Sequence, residues 1–577
     1  MRGGEFLIND LSPREAVAPE DITDDHKMVR ETLRKFIAGK IVPNIARMEK
    51  DHDWQLTRSL IKELGDLGIL SIDFPEDEGG LGRDKLMALV VAEALTAYES
   101  FAVSVGAHIG IGTWPLKLFG TALQKEKYLS KLLNGELVAA YALTEPQTGS
   151  DALNLRTTAT LAPDGEAYIL NGAKMWISNA GFADIFTVYA KIPGSGGSEI
   201  AAFLVERRWP GVEVGKDEPK TGLWGSSTCA LSFTDVRVPK ENLLGTPGKG
   251  HKIAFNVLNL GRFKLAAGCV GTLRVTLDEA LAYAKERQAF GKPIASFGAI
   301  REKLANMAIR LFVGESTVYR LANDLGAIEQ AAKSPSELIQ SVEEYSAECA
   351  LLKVLLSEMA YASCDDEVQI FGGYGFSREY PADRRLRDSR VNRIFEGTNE
   401  INAMLAVEAI LKLAMKGQLP LLQAFGELTT DEINTDLLPN YVPQEYKPLY
   451  KLLCTVKRST IFLLGSATQK YMLGLRDEQG ILLRLSKLLE SIYSMESTFV
   501  RLLKLPENDR EYADAVVRAY FACKLEEIKQ VSYEIASAVF DKDDDLGPRK
   551  KLSDWLAHTP VNVIGLKRKI AEIILNS

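Results

Sequence analysis

Arg393-Ile-Phe-Glu396-Gly-Thr-Asn-Glu400 sets one carboxylate at a glycine-marked break, directly after an arginine-rich helical segment. Upstream, Gln369-Ile-Phe-Gly-Gly-Tyr-Gly375 carries glycines that would let backbone come close to a bulky ligand. Two more segments precede these, Tyr141-Ala-Leu-Thr-Glu-Pro-Gln-Thr-Gly-Ser-Asp151 and Lys174-Met-Trp-Ile-Ser-Asn179.

Residues 21–139, ahead of all four, read as helical. A periodic segment runs from Asp24-Asp25-His26 to Val42, and Thr57–Leu67 repeats the pattern; Lys85–Tyr98 and Lys125–Leu133 are amphipathic. Pro75-Glu-Asp-Glu-Gly-Gly-Leu-Gly82 is a glycine-rich loop. The character changes near residue 140. Tyr168-Ile-Leu-Asn-Gly-Ala-Lys-Met-Trp-Ile-Ser178 is an apolar run, an Asn-Gly pair and a second apolar run, and Asn171-Gly172 suits a tight type I′ hairpin. Ile185–Ala190, Ile200–Val205 and Ala230–Val238 are further strand candidates. After Gly250 the helical period returns, with Leu273, Leu277 and Leu281 at i, i+4 and i+8, and continues through Leu311–Leu325 and Tyr345–Ala362. Lys416-Gly-Gln-Leu-Pro420 reads as a helix stop, and Leu428–Pro448, holding Pro439, Pro443 and Pro448, as a connection. Residues 449–577 form another helical region. The expected fold class is mainly α with a central β domain, divided at 1–139, 140–246, 247–416 and 417–577.

The 577 residues suffice for three or four domains or subdomains. An apolar content of 46% with 25% charged residues is ordinary for a soluble globular protein. The net charge of -8 argues against non-specific nucleic-acid binding, although local arginines can still receive an anionic substrate. Cys229, Cys269, Cys349, Cys364, Cys454 and Cys523 form no CxxC pair and the five histidines are scattered. No metal site or disulfide framework is expected, and a reducing compartment fits best. The N-terminus lacks the apolar core of a secretory signal, and no apolar run reaches the ~18 residues of a membrane span, so a soluble or peripheral protein is expected.

In this order the four segments resemble the acyl-CoA dehydrogenase family over about residues 20–410. Leu260-Gly-Arg-Phe263, the Glu396 segment and the long C-terminal extension resemble its very-long-chain branch in particular. The resemblance implies a helical, β-barrel-like, helical-bundle core plus an extra helical domain, with FAD as cofactor. Trp176 and Ser178 lie two apart on an expected strand and so project from one face. In the family the residues matching them, with Ile177 between, sit against the flavin. Residues matching Tyr141, Leu143, Thr144, Gly149 and Ser150 hold the ring and linker from a second segment. Arg287 and Phe290, within Arg287-Gln-Ala-Phe-Gly-Lys-Pro293, and Gln369, Gly372 and Gly373 match segments that reach the FAD of a neighbouring subunit, which implies a homodimer. Thr398, Asn399 and Glu400 continue from the base toward the cofactor.

A C–H alpha to a thioester is weakly acidic, so an enzyme must set a carboxylate against it and stabilise the developing enolate oxygen. Glu396 matches the family's base. Some branches carry the base just before the arginine matching Arg262; here that residue is Gly261, so Glu396 has no rival. Gly397 permits close substrate approach. Ser150 and Asn259 are also counted with the substrate, and Arg262 either contacts its headgroup or orients the base. Gly106 and Gly110, in Ser104-Val-Gly-Ala-His-Ile-Gly-Ile-Gly112, share one helix face and either leave a deep acyl channel or let helices pack closely; His108 between them reads as a packing residue.

The implied reaction is FAD-dependent dehydrogenation of long-chain acyl-CoA to trans-2-enoyl-CoA, with electrons passed to an electron-transfer flavoprotein. The alternatives are an acyl-CoA oxidase using oxygen and a scaffold or assembly protein on the same fold. Cytoplasm is expected in a bacterium and the mitochondrial matrix in a eukaryote. Tyr450-Lys-Leu-Leu-Cys-Thr-Val-Lys-Arg-Ser-Thr-Ile-Phe-Leu-Leu464 mixes basic and apolar residues, as a helix on an anionic membrane or one packed on the core would.

Overall fold

The computed structural model describes residues 1–194, 197–430, 439–540 and 546–576. Short helices occupy the first part of the chain, and three of them, beginning at Trp54, Lys85 and Ala122, are started by a side chain that accepts an orphan N–H. Asp84 caps Lys85–Leu95 through Met87 N–H at 2.8 Å, and Thr121 and Gln124 cap Ala122–Leu133 reciprocally. Eight strands follow: β1 (Ala139–Ala142), β2 (Thr158–Leu161), β3 (Ala167–Ser178), β4 (Ile185–Gly194), β5 (Gly197–Glu206), β6 (Val212–Asp217), β7 (Thr228–Pro239) and β8 (Leu243–Leu244). Their order is β6-β7-β3-β2-β4-β5-β8, with β1 parallel to β4.

The expected hairpin at Asn171-Gly172 does not form. β3 runs through the pair, and its register against β7 slips there as a bulge. Gly172 is needed for close approach: a Cβ there would lie 2.6 Å from Thr157 Oγ1. Asn171 instead crosses to β7, donating to Asp235 Oδ1 at 3.0 Å and accepting the Asp235 N–H at 2.8 Å. A two-residue turn with positive φ at both positions occurs elsewhere, at Phe290 (φ 50) and Gly291 (φ 78), joining β9 (Gln288–Ala289) to β10 (Lys292–Pro293).

Beyond the sheet, the Ser346–Phe371 helix packs against Gly250–Glu286, Gly298–Ala331 and Asn399–Met415. The Gly250–Glu286 and Lys85–Phe119 stretches are long and apolar enough to cross a bilayer, but here they are largely buried within the protein. The C-terminal helices Lys447–Tyr471, Gln479–Lys504, Arg510–Val539 and Val563–Asn576 follow. They share one continuous apolar core with the bundle, whereas the N-terminal helices and the sheet share another. Of the connection expected at 428–448, residues 431–438 lie outside the described residues.

The membrane reading of 450–464 is corrected. Leu453, Val456, Leu463 and Leu464 are core residues, and Lys457 and Arg458 are buried with them. Lys457 Nζ pairs with Glu496 at 2.5 Å and Asp10 at 3.0 Å, and Arg458 lies over the Trp555 ring. Glu496 also receives Arg320 from the bundle at 2.9 Å. The first residues of the chain close this seam, with Phe6 edge-on to Tyr493 and Gly4 N–H donating to Glu348.

Candidate active site

Two consecutive residues, Glu396 (φ 58) and Gly397 (φ 87), take left-handed backbone between the arginine-rich turn and the Asn399–Met415 helix. For a glutamate this conformation costs about 1–3 kcal/mol, so something must hold it. Asn402, one turn into the helix, donates its amide to three successive carbonyls: Glu396 at 3.2 Å, Gly397 at 2.7 Å and Thr398 at 3.1 Å. Arg262 Nε donates to the Glu396 carbonyl at 3.1 Å and Arg262 Nη1 to Asn259 Oδ1 at 2.8 Å. Lys353 Nζ donates to the Gly397 carbonyl at 2.8 Å and to Asn399 Oδ1 at 2.7 Å. Thr398 caps the helix through Ile401 N–H. Asn402 and Lys353 carried no local signal in the sequence; their partners become neighbours only when the turn folds.

The Glu396 side chain is tied far less. Its Oε2 is buried with no hydrogen-bond partner among the described residues. Burial raises its pKa to about 7, against the pull of the Arg262 and Lys353 charges. Gly261 makes the room: a Cβ there would stand 2.9 Å from Oε2. Glu396 and Gly261 line a cavity of about 170 Å³ whose walls include Leu95, Val105, Ile109 and Leu265. Gly106 and Gly110 lie on a wide π-helical turn, Gly106–Gly112, and both line it. A Cβ on Gly106 would meet nothing within 4 Å, and one on Gly110 only Lys264 at 3.7 Å, so these glycines hold space open rather than joining helices. His108 is buried, accepts Ala139 N–H at Nδ1 and bonds the Leu132 carbonyl through Nε2. Burial lowers its pKa to about 4.

The sheet supplies one wall. Ser178 lines the cavity, but strict alternation from Trp176 is interrupted: Trp176 has φ 62 at a second bulge of β3 and is 52% exposed. Ile177 points into the core, so only its backbone is available to a ligand. Met175 N–H donates to the Thr144 carbonyl at 2.9 Å, joining the two flavin-like segments. Tyr141 is buried against Tyr189, Leu143 is buried, Thr144 half-buried, and Gly149 and Ser150 are exposed. A buried Lys174–Glu145 pair at 2.8 Å locks the segments further; the carboxylate also accepts Arg156 N–H and Thr157 N–H. Asn399 turns away from the cavity, bonded to Lys353, Ser357 and Glu358, while Glu400 is exposed.

The remaining candidates form a separate cleft. Arg287, Gly372 and Gly373 line it with Tyr374, over whose ring Arg287 lies at 5.4 Å. Gln369 is exposed, Phe290 is 94% exposed at the tip of the β9–β10 turn, and a Cβ on either glycine would meet nothing within 4 Å. This cleft shares no lining residue with the Glu396 cavity.

Family models for the acyl-CoA dehydrogenase N-terminal, middle and C-terminal domains match residues 23–136, 140–236 and 248–411, and a further acyl-CoA dehydrogenase C-terminal domain matches 455–547. The chain belongs to the acyl-CoA dehydrogenase family, a family of oxidoreductases. A probable acyl-CoA dehydrogenase of Bacillus subtilis is 41% identical, covering 99% of this chain and 97% of that one. The human mitochondrial very long-chain specific acyl-CoA dehydrogenase is 39% identical over 70% of this chain and 60% of its own length. A crystal structure of an acyl-CoA dehydrogenase complexed with FAD from Bacillus anthracis superposes with a TM-score of 0.96 at 40% identity, covering 100% of this chain and 99% of that one.

Proposed function

We propose that this chain is an FAD-dependent enzyme that dehydrogenates long-chain acyl-CoA to trans-2-enoyl-CoA, working as a homodimer and passing electrons to an electron-transfer flavoprotein. One observation carries the reading: a carboxyl group with an unpaired oxygen faces an apolar cavity, on a turn whose carbonyls are all fixed. A base with a pKa of about 7 is matched to proton removal at neutral pH. Glu396 takes the proton alpha to the thioester. Arg262, Lys353 and Asn402 hold its backbone so that little reorganisation accompanies the step, and the Glu396 N–H is available to the enolate oxygen. The apolar walls exclude water and receive the acyl chain, with Gly106 and Gly110 keeping room for its length.

The residues present fit FAD. Exposed Trp176, the Ser178 hydroxyl in the cavity wall and the open backbone at Gly149 would receive the ring and linker. The open cleft at Arg287, Gly372 and Gly373, with exposed Gln369 nearby in sequence, offers charge and bare backbone to the distal part of a partner subunit's cofactor. Bound FAD supplies the acceptor for the two electrons and the β-hydrogen. The relatives matched are bacterial or mitochondrial enzymes, which supports cytoplasm or matrix as the site of action.

Anaerobic titration of the purified protein with acyl-CoAs of increasing chain length tests this. Visible absorbance should fall stoichiometrically with trans-2-enoyl-CoA formation, most readily with long chains. Absence of bleaching with every chain would overturn the reading, and rapid peroxide formation in air would favour the oxidase.

A further inference from the structure

The cavity that receives the Glu396 carboxyl carries two further acids, Asp73, which pairs with Lys264 and Lys85, and Glu99. Glu99 lines the same walls and is 7% exposed. Its Oε1 accepts from Asn392 Nδ2 at 2.5 Å, whereas Oε2 is buried with no partner among the described residues. Thr96, Ala102, Gly268 and Cys269 are among the other residues of this wall. Gly261 touches the Glu396 carboxyl, and Cys269, whose thiol is raised by burial and then by the Glu99 charge, comes eight residues later on the same helix. At 1.5 Å per residue, that sets the Glu99 level about 12 Å along the wall from the base.

The groups facing Glu99 are Asn392 from the turn before Glu396, Cys269 from the Gly250–Glu286 helix, and Asp388 and Arg385 from the Pro381–Ser389 helix. Burial and the Asp388 charge lift its pKa to about 8, against Asn392 and Arg385, so the group is neutral at pH 7. Because Oε1 accepts from Asn392, the proton resides on Oε2, a buried donor with nothing to donate to. Such an orphan is destabilising, because its desolvation is uncompensated. A saturated chain filling the cavity leaves that cost in place, whereas a chain carrying an oxygen at this level removes it.

We propose that Glu99 is a specificity-determining residue that selects acyl chains bearing a hydroxyl group in their distal part over plain hydrocarbon chains. The inference rests on reading this cavity as an acyl-CoA site. Octanoyl-, decanoyl- and dodecanoyl-CoA are each compared with the ω-hydroxy counterpart, through kcat/KM in the FAD-loaded protein and through Kd by calorimetry in a Glu396→Gln background. At one chain length the hydroxylated chain should be favoured by roughly ten-fold. Glu99→Leu should abolish that preference and tighten binding of the plain chain, while Glu99→Gln, which keeps a donor, should retain it. A preference absent at every length, or untouched by Glu99→Leu, overturns the proposal. Equal loss with both chains in Glu99→Leu, restored by Gln, also overturns it, because Glu99 would then only anchor Asn392. If the wild type oxidises no chain while the binding ratios behave as expected, the dehydrogenase reading fails and the Glu99 assignment survives.

Discussion

The Glu396 turn and the Gly372–Gly373 turn begin alike. Each follows helical backbone with a residue at positive φ, Glu396 at 58° and Gly372 at 62°. Their surroundings are opposite. Around Glu396, Arg262, Lys353 and Asn402 reach the carbonyls of residues 396 to 398, and the side chain faces a mostly apolar cavity. Around Gly372 and Gly373 there is open space, an exposed Arg287 and a phenylalanine held out at Phe290. The first turn has everything it needs within one chain. The second is open, as the proposed site shared between two subunits requires.

The largest effect tests the closed turn. Glu396→Gln is nearly isosteric and should keep flavin bound, yet it should lower turnover by about 10⁴-fold or more, as loss of a sole base does. Near-normal anaerobic bleaching in this variant would remove the basis for treating the turn as catalytic.

Next comes a buried charge that has no chemistry to do. Lys457 lies between Glu496 and Asp10, and although burial disfavours its charge, those two carboxylates raise its pKa overall. Lys457→Met leaves both carboxylates short of a partner and should cost about 3–5 kcal/mol in thermal or denaturant unfolding. Binding to anionic vesicles should not change. Reduced vesicle binding at unaltered stability would instead restore the membrane-facing reading of this helix.

That case also marks where the sequence stops being legible. The succession of helices, sheet and helices follows from periodicity, because each period is local. Glu396 stands out through the family resemblance that its surrounding segments carry, since a lone acid beside a glycine would by itself read as a helix end. Lys457 stays undecided between lipid and core because its partners lie far away along the chain, at Asp10 and Glu496, and an inward lysine then looks like one facing lipid. Asn171-Gly172 is misread because the same residue pair serves a turn or a bulge, and only the neighbouring Thr157 decides. Trp176 and Ser178 are expected on one face by strict alternation, which a bulge at Trp176 interrupts and which spacing alone does not announce. Lys353 and Asn402 act on backbone carbonyls, which no residue pattern announces. Gly261 was visible only as a missing acid; its structural part is to leave space for Glu396.

The open cleft is probed by Arg287→Ala. An arginine making charge-assisted bonds to a neighbour's FAD should, when removed, weaken flavin retention by about 10- to 100-fold without lowering stability. Mixing this variant with Glu396→Gln should return activity in hybrid dimers, since one site then combines an intact Glu396 with an intact Arg287. A monomer that retains full FAD would show that the cleft is not half of a shared site.

The smallest effect separates the two services that Lys353 gives to the closed turn. It donates to the Gly397 carbonyl, and its charge helps keep the Glu396 carboxyl from rising further. The base must be ionised to act, so kcat/KM should climb with pH through a limb near 7 and level off above it. Removing a positive charge makes ionisation harder. Lys353→Met should therefore move the limb upward by roughly one pH unit, lowering kcat/KM about five-fold at pH 7 and much less on the alkaline plateau. Lys353→Arg keeps the charge with altered geometry and should leave the limb in place. If both variants lose the same activity at every pH, Lys353 serves the turn through its hydrogen bonds alone, and the pKa of Glu396 is set by burial and Arg262.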